Sequence, residues 1–581
     1  MLKRMLALVL LVGLSACSGA PLSDPNANNG ILGEYQAKIG KYGGQLLLST
    51  TSDPKTFNPI VANESSSLVV TGYIFEGLTR TSGITTAVEP HLAKSWELSE
   101  DGKTWTFRLR EDVQWFDGEP FTAADVVFTF NQLIYNDAIP NSARDIFTVE
   151  GEEFLVEELA KDTVRFTLPK KFAPFLRSMS QPILPEHVLQ TVVEQGEFSS
   201  TWGVDTAPEQ LIGTGPFKLK IYQAGQRLVF ERNANYWRKD EVGNKLPYLD
   251  GISYLIVQNL DVSLLKFQEG ALDYYSLRGS DFPLLKPAEA QDNFTVYRLG
   301  PTFTTTFVTF NQNPGKNPSS GQPYLPAYKL KWFQDLAFRQ AVAYAIDRQG
   351  MINIVLNGLG QPQWSAMSPS SGYFYNGAVS EYPYDLAQAR RILASAGYED
   401  SDGDGIREDK DGNPVEFNFF TNSDNTERVK IAGLIRKDLE ELGFKVHFTP
   451  LEFNNLVSKL LENYEWDMMM IGLGGDIEPH FASNVWLSSA NLHMWYPKQA
   501  VAATAWEQEV DQIFTAGVQE LAEAKRKKLY DRWQEIVAEQ LPLIYTVLPE
   551  SIMAVRNKFG NLYPTAYGGA FHNLEEIYLA E

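Results

Sequence analysis

The chain has 581 residues, a formal net charge of −22 at neutral pH and one cysteine. So acidic a surface argues against nucleic acid and anionic lipid headgroups as partners, and a single cysteine excludes intrachain disulfides and cysteine-based metal sites. The length exceeds one hydrophobic core and predicts about two or three domains.

The first residues have the features of a secretory signal. Two cations precede a short apolar run, which falls short of the roughly 20 residues that a membrane-spanning helix needs. The sequence Leu-Ser-Ala before Cys17 resembles the lipobox of bacterial lipoproteins, in which the cysteine receives lipid. We therefore predict a signal peptide over 1–17 that ends in an acylated Cys17, and a flexible tether over 18–30. The body is then periplasmic or in the cell envelope, lipid-anchored, and Ser18 leaves the choice of membrane open.

Residues 45–135 are predicted to form short strands and two helices. Short alternating segments separated by Asp-Gly and Glu-Asp indicate a hairpin-rich sheet. Thr122 is suited to cap a helix whose apolar stripe includes Val126, Phe130 and Leu133. The predicted strands are 45–49, 96–98, 104–109 and 113–115, and the predicted helices are 66–78 and 122–135.

The later part of the chain has the clearest α/β pattern. One amphipathic helix is predicted over 335–355. Strand, helix, strand, helix and strand then follow in order, which implies a parallel sheet with right-handed crossovers. Ligands of such sheets bind beyond the carboxyl ends of the strands, which places a site at the loop 472–476. The five segments are 415–420, 427–442, 444–448, 453–461 and 466–471.

No catalytic motif stands out. The six histidines form no metal-binding pair of known spacing, the Gly-rich segment 213–216 lacks a phosphate-loop lysine, and no nucleophile elbow occurs. We therefore predict that the chain is not an enzyme and requires no cofactor.

An Asp-rich loop predicts a structural calcium site. Asp400, Asp402, Asp404 and Asp411 occupy the first, third, fifth and twelfth positions, and Gly405 permits a sharp turn. The seventh position, Ile406, would contribute its backbone carbonyl. The alternative is an Asp/Gly-rich surface turn without a metal.

Several segments together are similar to one family, the family 5 extracellular solute-binding proteins of oligopeptide and dipeptide ABC importers. The most specific is a run of about forty residues that includes EPHLAKSW, SEDG, TFRLR, VQWFDG and FTAADVVFT. Further matches continue in family order to the end of the chain, at 212–219, 231–237, 338–347, 404–408, 541–545 and 573–578.

The resemblance implies a two-lobed α/β fold of the type II periplasmic-binding-protein kind, with three domains around a ligand cleft. It places domain II at 83–204 and domain III, the α/β second lobe, at 301–548. Domain I is divided among three segments, 31–82, 205–300 and 549–581. Few connecting segments let such lobes close on a ligand, and binding then favours the closed state.

The resemblance also implies the function and its partners. The protein would capture peptides or peptide-like solutes as a monomer and deliver them to an ABC permease with its ATPase subunits, touching the membrane only through its lipid. Asp476 matches the family's aspartate for the peptide amino terminus, because the run 466–479 resembles the family's sequence there. A carboxylate desolvated in a closed cleft needs a cationic partner, which the peptide ammonium would supply. Glu478 competes for that role, and Leu473 stands where an aromatic residue is common. Trp486, Trp495 and Tyr496 are candidates for the cleft wall.

Two other functions stay open at the level of sequence. One is an exported hydrolase of peptides or cell-wall fragments, and the other is an envelope chemosensory or interaction adaptor. The ligand itself also stays open, because the family includes binders of sugars, nickel chelates, haem and opine-like compounds.

Overall fold

The structure is a computed structural model that describes residues 35–141, 143–149 and 151–580. The predicted signal peptide, the tether and the acylation of Cys17 lie outside the described residues. No helix in the described part of the chain is both long and apolar enough to cross a membrane.

The first lobe contains two four-stranded sheets. One sheet has the strand order Gln45–Thr50, Gly251–Ile256, Arg227–Arg232 and Phe217–Gln223. The first two strands, which are far apart in the chain, pair in parallel, and the other neighbouring strands pair antiparallel. The other sheet is wholly antiparallel, with the order Ala93–Leu98, Thr104–Leu109, Thr163–Thr167 and Leu155–Ala160.

The second lobe is built on a mixed five-stranded sheet. Its order is Lys445–Leu451, Glu416–Asn422, Met468–Leu473, Thr305–Phe310 and Leu543–Tyr545. The first three strands are parallel, as the sequence pattern predicted, and the last two run antiparallel to their neighbours. The carboxyl ends of the parallel strands therefore share one edge of the sheet.

A third sheet joins the lobes. The long strand Val547–Arg556 pairs with Tyr274–Leu277 and Phe294–Pro301, and its start also pairs with Gly360–Pro362 of the second lobe. The chain crosses between the lobes near 301–305 and 545–547, where strands of this sheet continue into strands of the five-stranded sheet. Two closely spaced crossings suit a hinge.

Helices cover the sheets, and most of the longer ones lie in the second lobe. Three short antiparallel strand pairs complete the strands of the described residues: Thr79–Thr81 with Val88–Pro90, Thr148–Val149 with Glu152–Glu153, and Phe559–Gly560 with Tyr578–Leu579. The principal helices are Ser65–Ile74, Ala123–Phe128, Glu186–Glu194, Leu260–Gln268, Ala327–Gln334, Leu336–Ala345, Arg348–Ile354, Leu386–Ala396, Thr426–Glu441, Phe453–Ser458, Ala505–Gln519 and Glu523–Gln540.

Two local predictions are wrong, and a third holds only in part. The single helix predicted over 335–355 is two helices, because Ile346 is extended and the Asp347 side chain caps the second helix by accepting from Gly350 N at 2.8 Å. Segment 113–115 forms no strand, only an isolated bridge at Gln114. The helix predicted over 122–135 changes to π-helix at Thr129.

Separate hydrophobic cores correspond to the two lobes. Two clusters of buried side chains lie wholly between residues 307 and 547. A third lies between residues 46 and 299 and between 553 and 577, with Val518 as its one member from the second lobe. The domain boundaries inferred from the resemblance stay a prediction.

Candidate functional site

A cavity of about 190 Å³ opens where the central strand of the second lobe ends. Its lining includes Leu473, the last residue of strand Met468–Leu473, and the loop that follows as far as Asp476. This is the sheet edge at which the strand order predicted a ligand. Gly475 allows the loop to approach the hinge, since a Cβ there would lie 2.4 Å from the carbonyl oxygen of Phe303.

Asp476 lies in this loop at the boundary between the lobes. Its Oδ1 accepts a hydrogen bond from Glu478 N at 3.0 Å, and its Oδ2 lies 3.4 Å from the Tyr567 hydroxyl of the first lobe. Its backbone carbonyl accepts from Ser371 Oγ at 2.9 Å. The carboxylate is thus held in place while facing the other lobe.

The environment of Asp476 disfavours its charge. Burial raises the pKa of this carboxyl, and hydrogen bonding and the positive charge of Arg177 offset only part of that effect. Among the described residues, no lysine, arginine or histidine lies within 4.0 Å of the carboxylate. A cation from outside the chain would therefore be stabilised here.

Glu478 is buried in an ion pair. Arg526 donates through Nη1 to Glu478 Oε2 at 2.8 Å and through Nη2 to Oε1, and Glu478 Oε1 also accepts from His480 N at 2.9 Å. Bidentate pairing satisfies a buried carboxylate within the protein. Glu478 lines the cavity, but its charge is already compensated, which leaves Asp476 as the carboxylate without a cation.

The rest of the cavity is largely apolar. Serine, threonine and asparagine side chains add polar groups to its lining, among them Ser368, Ser371 and Asn484. Trp533 is buried, and its indole N–H has no hydrogen-bond partner among the described residues. The larger apolar and aromatic residues of the lining are Leu473, Phe481, Trp486, Trp533, Leu543 and Tyr545.

Trp495 and Tyr496 do not line the cavity. Trp495 packs behind Trp486, with ring centroids 5.5 Å apart, and its Nε1 donates to Glu507 Oε1 at 3.0 Å. Tyr496 is half-buried against the same hydrophobic core. Trp495 therefore supports the wall of the cavity from outside, whereas Tyr496 packs on the wider hydrophobic core.

Glu507 anchors this supporting layer. It accepts from His493 Nε2 at 3.1 Å, from Gln499 Nε2 at 3.0 Å and from Thr504 Oγ1 at 2.8 Å, in addition to Trp495. Burial raises the pKa of Glu507, but the hydrogen bonds outweigh it and the pKa falls from 4.5 to about 2.

We expect Glu507→Gln to lower the free energy of unfolding by about 3 kcal/mol at pH 7. This is the free energy that corresponds to the fall in the pKa of Glu507 on folding. Because the pKa of Glu507 is lower in the folded protein than in the unfolded chain, its carboxylate contributes its full stabilisation of the folded state above pH 4.5. That contribution is lost as the pH falls toward 2. Urea unfolding between pH 7 and 3.5 measures the difference in free energy of unfolding between the wild type and Glu507→Gln, and this difference should become smaller below pH 4.5. The exposed Glu399→Gln is the control, and a difference that stays constant with pH would contradict the assignment.

The two lobes are in contact around the cavity. Ala173 N of the first lobe donates to Val518 O at 2.7 Å. His480 is buried, donates through Nε2 to Ile146 O at 3.3 Å, and packs edge-on against Phe172. Because burial lowers the pKa of His480 to about 4, this contact is made by a neutral ring at pH 7. The two lobes are therefore in direct contact beside the cavity.

The structure brings together only part of the predicted calcium ligands. Carboxylate oxygens of Asp400, Asp402 and Glu408 lie within 4.8 Å of one another. Glu408 occupies the ninth position of the loop, which sequence reasoning did not select. Asp404 Oδ1 instead accepts from Ile406 N at 2.7 Å.

The twelfth position lies apart from that group. The carboxylate of Asp411 lies 3.4 Å from Lys331 Nζ, in the neighbouring turn. The carboxylate of Asp400 accepts from the backbone N–H groups of Gly403 and Gly405, as expected of an Asp-rich turn with or without a cation. Calcium binding by this loop stays a prediction.

Sequence reasoning missed several residues of the site. Arg526 and Trp533 come from helix Glu523–Gln540, Ser371 from a 3₁₀ turn, and Tyr567 from the carboxyl-terminal segment. One signal was available for Arg526: it shares a helical stripe with buried Tyr530, Trp533 and Val537. A cation on an apolar face needs a buried partner.

The sequence model of a protein family, the bacterial extracellular solute-binding proteins of family 5, matches residues 87–493. A probable ABC transporter-binding protein of Deinococcus radiodurans is 28% identical over 94% of this chain and 92% of its own length. The oligopeptide-binding protein AppA of Bacillus subtilis is 26% identical over 99% of this chain and 97% of its own length.

The fold is also similar to a solved structure. AppA of Bacillus subtilis in complex with a nonapeptide superimposes with a TM-score of 0.78 at 24% identity, covering 94% of this chain and all of the other. The mixed α/β, two-lobed architecture predicted from the resemblance is therefore confirmed.

Proposed function

The chain belongs to the bacterial extracellular solute-binding proteins of family 5, and we propose on that premise that it captures peptides or peptide-like solutes for an ABC importer. Binding would take place outside the cytoplasmic membrane, between lobes that close on the ligand and present it to the permease. The oligopeptide-binding protein AppA, which aligns along nearly the whole chain, supports peptides as the ligand class.

Asp476 carries the peptide assignment. It is a partly buried carboxylate at the sheet edge where ligands bind, it faces the opposite lobe, and no cation of the described residues pairs with it. The neighbouring Glu478, by contrast, is neutralised by Arg526. A peptide ammonium supplies the missing positive charge and makes charge-assisted hydrogen bonds.

The same features favour binding without turnover. The cavity contains no histidine, cysteine or lysine, and one of its two carboxylates is held in an ion pair. We propose that the protein is not an enzyme, that it acts as a monomer, and that lipid on Cys17 keeps it at the membrane. A hydrolase would release products from peptides during prolonged incubation, and we expect intact peptide to be recovered.

Native mass spectrometry of freshly purified protein tests the ligand class. We expect a ladder of peptide masses to co-purify, and an added peptide at 100 times its Kd to stabilise the emptied protein by about 2.7 kcal/mol. N-acetylated peptides are the matched control, because they lack the ammonium and should bind more weakly. If no member of a free-amino peptide library raises the melting temperature, while a sugar or a metal chelate does, the peptide assignment is wrong.

A further inference from the structure

We propose that the cavity beside Asp476 receives the side chain of the ligand's first residue and selects a large apolar one. This specificity rests on the proposed function, in which the Asp476 carboxylate binds the ammonium of that same residue. The first side chain branches from the carbon that bears the ammonium nitrogen, which puts it within reach of the space that Asp476 borders.

The charge of the cavity excludes ionised side chains. Its lining contains two charged residues, Asp476 and Glu478. Asp476 would be engaged by the ammonium, and Glu478 is paired with Arg526. A charged first side chain would therefore lose its hydration without gaining a partner, which is costly in an enclosed site. A negative side chain would in addition be repelled by Asp476.

The walls favour apolar contact. Phe481, Trp486, Trp533 and Leu543 line the space, and Trp486 is fixed in position by Trp495 and Trp533, at ring-centroid distances of 5.5 and 5.4 Å. Burying a side chain of leucine or phenylalanine size against such walls stabilises a complex by about 1.5–3 kcal/mol relative to solvent, which corresponds to a roughly 10- to 150-fold tighter Kd.

The size of the cavity limits it to one side chain. A volume of about 190 Å³ corresponds to about six waters at ~30 Å³ each, and thus to roughly that number of non-hydrogen atoms. The buried indole N–H of Trp533, which has no partner among the described residues, also leaves a donor for an acceptor atom such as the thioether sulfur of methionine. The side chains of leucine, methionine and phenylalanine are of this size.

A peptide series tests this selectivity. Calorimetric titration would compare X-Ala-Ala-Ala peptides in which X is leucine, methionine, phenylalanine, glycine, glutamate or lysine. We expect the three apolar peptides to bind about tenfold or more tightly than the glycine peptide, and the charged peptides to bind no better than glycine. Equal affinity for all six would overturn the cavity assignment and leave the proposed function intact. Failure of all six to bind would count against both.

Variants of the wall locate the effect. Ala366→Phe would fill the cavity, and we expect it to reduce the affinity for the leucine peptide to that for the glycine peptide, with the glycine peptide unaffected. Ala387→Phe, on an exposed helix surface, is the matched control. If Ala366→Phe does not fold, the half-buried Phe481→Ala gives an independent test. It should weaken binding of the leucine peptide alone, and equal weakening of both peptides would overturn the assignment.

Discussion

Replacing Asp476 by asparagine is expected to weaken the binding of free-amino peptides by about 2–5 kcal/mol, or roughly 30- to 5,000-fold in Kd. The substitution keeps the size of the side chain and can still contact Glu478 N and Tyr567. It removes the negative charge that would compensate the ligand's ammonium, and the other carboxylate of the cavity lining, Glu478, is already paired with Arg526. The protein should fold normally, since burial already disfavours ionised Asp476.

Titration calorimetry with one peptide in two forms isolates this effect. Wild-type protein should bind the free-amino form much more tightly than the N-acetylated form, whereas Asp476→Asn should bind both with similar, low affinity. Asp112→Asn, an exposed position in the other lobe, should leave both affinities unchanged. The assignment fails if Asp476→Asn still discriminates between the free and acetylated forms as the wild type does.

Arg526→Met should cause the largest loss of stability, about 3–5 kcal/mol in the free energy of unfolding. Arg526 holds Glu478 by two hydrogen bonds and donates through Nε to Gly517 O at 3.0 Å. Glu478 is 7% exposed, so removal of the guanidinium leaves a buried carboxylate without a cation. Methionine keeps most of the apolar contact with Phe374 and Tyr530, over whose rings the guanidinium lies.

Urea unfolding of three further variants tests this explanation. Arg532→Met, on the same helix but in a half-exposed surface network with Glu509, should cost less than about 1 kcal/mol. Glu478→Gln combined with Arg526→Met should recover part of the loss, because no unpaired charge remains buried. The single Glu478→Gln variant completes the double-mutant cycle. Equal losses for Arg526→Met and Arg532→Met would contradict the buried ion pair.

Local patterns predicted much of the fold. Apolar periodicity located the strand at 416–422, the helix at 426–441 and the strand ending at Leu473 within a few residues of their bounds. The parallel order of those strands followed from the alternation of strand and helix, because crossover connections have one hand. That order was sufficient to place Asp476 at the ligand edge of the sheet.

Other local features were beyond reach of periodicity. The helix predicted over 335–355 keeps its apolar stripe through the break at Ile346, so the stripe alone gave no sign of an end. The break depends on an aspartate cap at Asp347 that competes with helix continuation. In the Asp-rich loop, the spacing of the acids predicted Asp404 and Asp411 as metal ligands. In the structure it is the carboxylate of Glu408 that lies close to those of Asp400 and Asp402.

The family, the order of the parallel strands of the second lobe and the position of Asp476 follow from the amino-acid sequence, since these depend on residues close together in the chain. Which of the two carboxylates is free follows only from contacts between distant segments. Glu478 meets Arg526 across 48 residues, and Asp476 meets Tyr567 across 91. Such contacts arise when packed helices and the contact between the lobes bring distant segments together. Because burial and pairing, rather than residue type, determine the cost of a charge, two acids two residues apart acquire different roles.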